Sequence, residues 1–416
     1  VSEHGPIVQF PMGPHLTGML IASANGADRV LRADLEGYVK GVLWEVVGRL
    51  SGNGLAVNPD LEDWRRQRRL MNPAFSRPSV QHYVGQMQAV IPATLDEWLP
   101  AAERGEPLNI TGAAAELTQA MILKTLFGTG ISQAEREQVG ESLVTVLGEI
   151  TRLQQIGDPT APMSPEGDQA IAFLDSVILG LATSYRERLG RGEEPEPHLM
   201  GQLIAAADEA GSMSPKQLRD ELTVAFLAGY ETTAMTLQWM LYALAGNPAA
   251  AERLDAEIAT LAGRAPTYEE IKDLAYLQAV INETLRFYPA LPYIPRQRVG
   301  TAEDTIDGYT VPAGAVIFVG AWHIHRDPDH WGADAAQFNP ERWLAPAERH
   351  KAAFLPFALG ARICIGEHLS RVALALALVA IRQRFDAALV DEGETLPMAM
   401  FTLRPHRDIL LRLAPR

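Results

Sequence analysis

From Leu218 to about Ala245 the chain is almost continuously apolar. A helix that is apolar on every face belongs inside a molecule, not on its surface. Other elements must therefore enclose it. Its start is marked by Ser214-Pro215-Lys216-Gln217: an N-cap, a first-turn proline and a capping-box glutamine. A second capping box, Thr267 to Glu270, opens a helix expected to run to Phe287 and to stop before Pro289. Leu369 to Phe385 reads as another buried helix. Between Leu291 and Val319 the apolar period shortens, and Asp307-Gly308 and Pro312-Ala-Gly314 mark tight turns between strands. A last strand pair is expected from Met398 to Leu413. The fold class is mainly α with a smaller β-rich part.

The 416 residues, 47% of them hydrophobic, are enough for a large core. A net charge of −15 argues against a nucleic-acid surface. The longest apolar stretch, Val372 to Ile381, is about half the length that spans a bilayer. No basic-then-apolar leader pattern opens the chain. A soluble, cytoplasmic protein is expected. The single cysteine, Cys364, excludes an internal disulfide, a multi-cysteine zinc site and a cysteine-held iron–sulfur cluster.

That cysteine lies in Phe357-Ala-Leu-Gly360-Ala-Arg362-Ile-Cys364-Ile-Gly366. Glycines permit a tight turn and close backbone approach to a flat partner. The N–H groups of a following helix favour the thiolate, the metal-binding form. Inside the apolar helix, Ala228-Gly229-Tyr230-Glu231-Thr232-Thr233 places a carboxylate and a hydroxyl where both are costly. They suit an opened helix with a proton relay; a solvated glutamate and a packing threonine fit as well. Glu283 and Arg286 share a helical face, and Arg342, in Phe338-Asn-Pro-Glu341-Arg342-Trp343, has the charge to join them. Trp64 and Arg68 stand four apart and together suit an anion. Arg65, Arg66 and Arg69 form a basic patch beside them.

In this order and spacing the motifs resemble the cytochrome P450 family over nearly the whole chain, with eukaryotic-style phrasing from Arg286 to Trp343. The resemblance implies one haem domain over residues 1–416, with β-rich parts at about 1–35, 291–320 and 390–416. Haem b would lie between the central helix and the cysteine-loop helix. It implies that Cys364 is the thiolate ligand of the iron, with Phe357, Gly360, Ile365, Gly366 and Ala228 against the cofactor. Trp64, Arg68, Arg296 and Arg362 would bind the propionates. Glu231 and Thr232 would deliver protons to iron-bound O2, and Glu283, Arg286 and Arg342 would form a structural triad. The intact acid–alcohol pair favours a monooxygenase over a peroxygenase, isomerase or dehydratase. NAD(P)H-derived electrons would come through a separate ferredoxin or flavodoxin-type partner docked near Arg65, Arg66 and Arg69. The positions Ala56, Val224, Ala228, Leu291, Tyr293 and Phe401 would line a pocket for a lipophilic substrate. A remote alternative is a cysteine hydrolase using Cys364 and His368.

Overall fold

The computed structural model describes residues 4–12, 16–128, 133–156, 160–193, 198–210, 213–345, 347–390 and 393–416. Parts of the expected β-rich ends, residues 1–3, 13–15 and 391–392, lie outside the described residues. The central helix spans Pro215–Ala245 and is buried along most of its length. Ser214 caps it by accepting the Gln217 N–H at 3.1 Å. The expected reciprocal bond is not made, because Gln217 accepts from Arg66 at 2.9 Å.

Two apolar cores meet on this helix. Its first half, Leu218 to Tyr230, packs with Trp44, Leu123, Phe127, Leu143 and Leu203. Its last part, Leu237 to Leu244, packs with the helices Arg77–Arg104, Ala275–Phe287 and Glu367–Arg384. Trp239 stacks on Tyr288 with centroids 4.3 Å apart and adds packing beyond area burial. The residues between, Glu231 to Thr236, belong to neither core.

The expected helix from Thr267 to Phe287 is two helices. The capping box forms and opens only Tyr268–Asp273. Leu274, at ψ 81°, breaks the path before Ala275–Phe287 begins. Some strands also lie outside the expected β-rich ranges, at Tyr38–Val39, Pro107–Asn109 and Phe385–Leu389. A five-stranded sheet runs in the order Ile7–Met12, Leu16–Ile21, Val316–Val319, Ile294–Arg298 and Tyr38–Val39. Leu16–Ile21 and Val316–Val319 are parallel; the other pairings are antiparallel. The N-terminal β part is interrupted by helical turns over Ala24–Asp28 and Arg29–Ala33. Strand Pro107–Asn109, which carries no alternating pattern, pairs with Leu410–Pro415. Asp307 and Gly308 both take positive φ, 48° and 84°, as a two-residue hairpin turn requires.

Glu283 and Arg286 are fully buried and joined by bonds of 2.7 and 2.8 Å. Arg286 donates also to the carbonyls of His325, Ala335 and Gln337, so every guanidinium N–H has an acceptor. Glu283 accepts from Arg342 at 3.1 Å, the Trp343 indole at 2.9 Å and the Asn339 N–H at 2.7 Å. His325 continues the network. Its Nε2 accepts the Leu355 N–H at 2.9 Å, while Nδ1 donates to the Arg286 carbonyl at 3.1 Å. A cationic ring cannot accept that N–H, and burial pushes the imidazole pKa down from 6.5 to about 3. Its contribution is thus fully present above pH 6.5 and is lost as pH falls towards 3. Urea unfolding of the wild type should lose up to roughly 5 kcal/mol more over that window than unfolding of His325→Gln, from about 1.4 kcal/mol per unit.

Candidate active site

The segment Phe357 to Gly366 forms a looped turn that ends against the start of helix Glu367–Arg384. The Cys364 N–H donates to the Phe357 carbonyl at 3.0 Å, and the Ile363 N–H to Gly360 at 3.1 Å. Gly360 has φ +78°, and a Cβ there would lie 2.3 Å from the Leu31 carbonyl oxygen. Both its conformation and its contact exclude a side chain. The backbone N–H groups of Gly366 and Glu367 point at the sulfur and favour its thiolate. Desolvation outweighs them and the nearby Arg68, so the thiol pKa is raised. By area the side chain is nevertheless exposed. The thiol is thus accessible, although protein atoms around it disfavour its charged form.

The central helix presents a matching face. Ala225, Ala228, Gly229 and Thr232 follow helical spacing. Ala228 is exposed and the other three are half-buried, although Leu227 and Tyr230 beside them are buried. Small residues on this face leave room for a flat partner. The helix does not open here, contrary to the sequence expectation. Thr232 Oγ1 donates back to the Ala228 carbonyl at 2.7 Å, and Thr236 to the Thr232 carbonyl at 2.8 Å. The hydroxyls follow the ladder without breaking it. Glu231 is buried, and its Oε1 accepts from Thr402 at 2.8 Å and from Arg404 at 2.7 and 3.1 Å.

Three buried cations crowd one side of this space. Arg296 is 2% exposed, donates to the Pro295 carbonyl, and has its pKa lowered to about 9 by burial and by Arg362. Arg362 donates to the Asn58 carbonyl and lies 4.6 Å over the Trp64 ring. Its Nε has no partner, and burial chiefly lowers its pKa to about 10. Lys40, not anticipated from sequence, sits 3.5 Å over the Trp44 ring. Burial, then Arg296 and Arg362, hold it well below the ordinary lysine range. Among the described residues, none of the three makes an ion pair with a carboxylate. Buried cations without counter-charges are costly, and a dianion removes that cost. Arg68 donates to the Ile363 carbonyl at 2.7 Å and to Asn72 at 3.0 Å, bracing the cysteine loop. The residues therefore fit haem: a cysteine turn with an accessible thiol, a half-open small-residue face on the central helix, and cations without counter-charges for two propionates.

The other expected positions divide. Gly54 packs on Val224, next to Ala56. Phe401 meets Trp44 edge-on at 6.3 Å. The Leu403 N–H bonds the Ala290 carbonyl, which brings Leu291 beside the 400–403 turn. Tyr293 goes elsewhere, packing on Phe318 and His323 at 6.3 and 6.0 Å. Behind the loop, Arg371 lies 5.2 Å from the Phe357 ring and bonds Asn282 at 2.7 Å. His368 is engaged by the Tyr268 hydroxyl at 2.6 Å, a geometry that gives a nucleophilic Cys364 no base. Arg66 leaves the basic patch, pairing with Asp63 at 2.6 Å; Arg65 and Arg69 stay exposed.

Comparison with known proteins places this geometry. The family model described as Cytochrome P450 matches residues 2–412. The chain is 32% identical to cyclooctat-9-en-7-ol 5-monooxygenase of Streptomyces melanosporofaciens, over 92% of this chain and 82% of that one. It is 28% identical to pentalenene oxygenase of Streptomyces avermitilis, over 100% and 92%. To the chloroplastic carotene epsilon-monooxygenase of Arabidopsis thaliana it is 29% identical, over 100% and 81%. Gly360→Ala should displace the cysteine loop. Purified variant protein is expected to retain less than about half the haem of wild type by pyridine haemochrome assay, with a lower melting temperature.

Proposed function

The chain belongs to the cytochrome P450 family, and from that membership we propose that it inserts one oxygen atom of O2 into a lipophilic small molecule. Two electrons and two protons reduce the second oxygen atom to water. A separate ferredoxin or flavodoxin-type carrier delivers the electrons from NAD(P)H. The reading takes residues 1–416 as one haem domain working in the cytoplasm. Among the described residues no helix is long and apolar enough to cross a membrane. The observation that carries the assignment is the accessible Cys364 thiol beside three buried, uncompensated cations.

The bound haem supplies the redox chemistry and the activation of oxygen. The protein's own residues hold and shield it. Cys364 would ligate the iron; its backbone N–H is held by the Phe357 carbonyl, and the N–H groups of Gly366 and Glu367 favour its thiolate. Arg296, Arg362, Lys40, Trp64 and Arg68 neutralise and orient the propionate edge. Phe357, Gly360, Ile365 and Gly366 line the thiolate side, with Ala228 opposite. Thr232, whose hydroxyl donates to the Ala228 carbonyl here, would hold a proton near the bound oxygen, and Glu231, one residue before it, would be the acid that resupplies it. Ala56, Val224, Ala228, Leu291 and Phe401 give the pocket an apolar wall. Relatives named for carotene, pentalenene and cyclooctat-9-en-7-ol support a lipophilic substrate. Tyr293 packs on Phe318 and His323, and its part in that wall is the weakest of the six expected positions.

Purified protein should be red, and its reduced carbonyl complex should show the red-shifted Soret band of thiolate ligation. Cys364→Ser should lose that band. A wild type without it would end the reading. Thr232→Val should keep the band but divert about ten times more of the consumed NADPH into hydrogen peroxide. The exposed Arg65 and Arg69 supply positive charge on an acidic protein, next to the loop that Arg68 braces. Arg65→Glu with Arg69→Glu should slow reduction by an acidic ferredoxin about tenfold at low salt and leave ligand binding unchanged in spectral titration.

A further inference from the structure

Glu231 is tied to a part of the chain 170 residues away in sequence. Its Oε1 takes the Thr402 hydroxyl at 2.8 Å and both the Nη2 and the Nε of Arg404, at 2.7 and 3.1 Å. Thr402 is 1% exposed, whereas the Arg404 side chain is 32% exposed and reaches solvent. Both belong to the C-terminal hairpin of strands Pro397–Ala399 and Leu403–Pro405. The hairpin is pinned to the central helix a second time, since the Trp239 indole donates to the Leu403 carbonyl at 2.8 Å. Its turn also carries Phe401, which meets Trp44. The pocket wall and the anchor of the acid are thus consecutive residues of one turn.

A carboxylate on a buried helix requires a cation and hydrogen bonds. Arg404 provides the cation, and Thr402 fixes which oxygen it grips. Among the described residues, Tyr230 lies close to this pair, and Glu116 lies near Tyr230. Neither brings a positive charge. Resting on the monooxygenase reading above, we propose that Arg404 and Thr402 are positioning residues for Glu231. They hold the acid against the C-terminal hairpin, so that proton supply to Thr232 depends on the seating of that hairpin. Neither residue touches the reacting atoms; they act through the carboxylate.

The test uses full-length Arg404→Leu, Arg404→Lys and Thr402→Val, with Glu231→Gln/Arg404→Leu as the control. Infrared spectroscopy at neutral pH reads the carboxyl directly and needs neither substrate nor turnover. Arg404→Leu should gain a protonated carboxylic-acid band that is absent from wild type, from Arg404→Lys and from the double variant. No new band in Arg404→Leu, or a band that persists in the double variant, overturns the proposal. The second measurement is NADPH-driven O2 consumption in H2O and D2O, with an added ferredoxin and ferredoxin reductase. The solvent isotope effect should rise at least about twofold in Arg404→Leu and measurably in Thr402→Val, and return towards wild type in Arg404→Lys. A merely structural role would change haem content and melting temperature but not the isotope effect; an unchanged isotope effect therefore also overturns the proposal. Should Arg404→Leu fail to fold, Thr402→Val, close in shape to the native residue, carries the isotope-effect test. Loss of the thiolate spectrum in wild type would sink the parent reading alone, because the infrared result does not depend on it.

Discussion

The buried pair of Glu283 and Arg286 is the joint on which the thiolate side of the molecule rests. An ion pair taken out of water contributes net stability only when every remaining lone pair and proton finds a partner. Here the guanidinium is saturated by Glu283 and three carbonyls, and the carboxylate by Arg342, Trp343 and Asn339. Those partners come from an irregular stretch with little regular structure of its own. The pair therefore gives residues 325 to 343 a fixed path, and His325 passes that constraint to Leu355. From there it is a short step along the backbone to Phe357 and the Cys364 turn. The cysteine owes its placement to a charge pair it never meets.

The central helix solves a different problem. Each end is gripped by its own apolar core, and the middle is left to polar chemistry. A carboxylate and two hydroxyls within a core would be paired away or excluded. At a junction between cores they persist, held by the hairpin on one side and their own helix on the other. Rigidity at the ends gives the middle its precision without filling it.

Much of this was legible in the sequence where the signal is local. The central helix, the Thr267 capping box and the Asp307-Gly308 turn follow from neighbours a few residues apart, and their structures agree. The Glu283–Arg286 spacing announced a pair, although not its saturation by backbone carbonyls, which depends on a path set elsewhere. The break at Leu274 was invisible because apolar periodicity continues across it. The short strand Pro107–Asn109 exists only because Leu410–Pro415 lies beside it. Arg404 and Thr402 carried no local mark, since their partner is far away in the chain. Lys40 stands alone before Gly41 in an apolar stretch, a weak sign that gains meaning only when Arg296 and Arg362 are seen around it.

On the proposed haem-binding role, those three cations would also decide what the folded chain selects. Shape alone would admit any flat macrocycle of the right breadth between the small-residue face of the central helix and the cysteine turn. At this edge the discriminating property is charge. A porphyrin with its carboxylates esterified would have a suitable outline, yet it would leave Lys40, Arg296 and Arg362 repelling one another in a poorly screened interior. On the proposed haem-binding role, the protein would thus proofread its prosthetic group electrically as well as by shape.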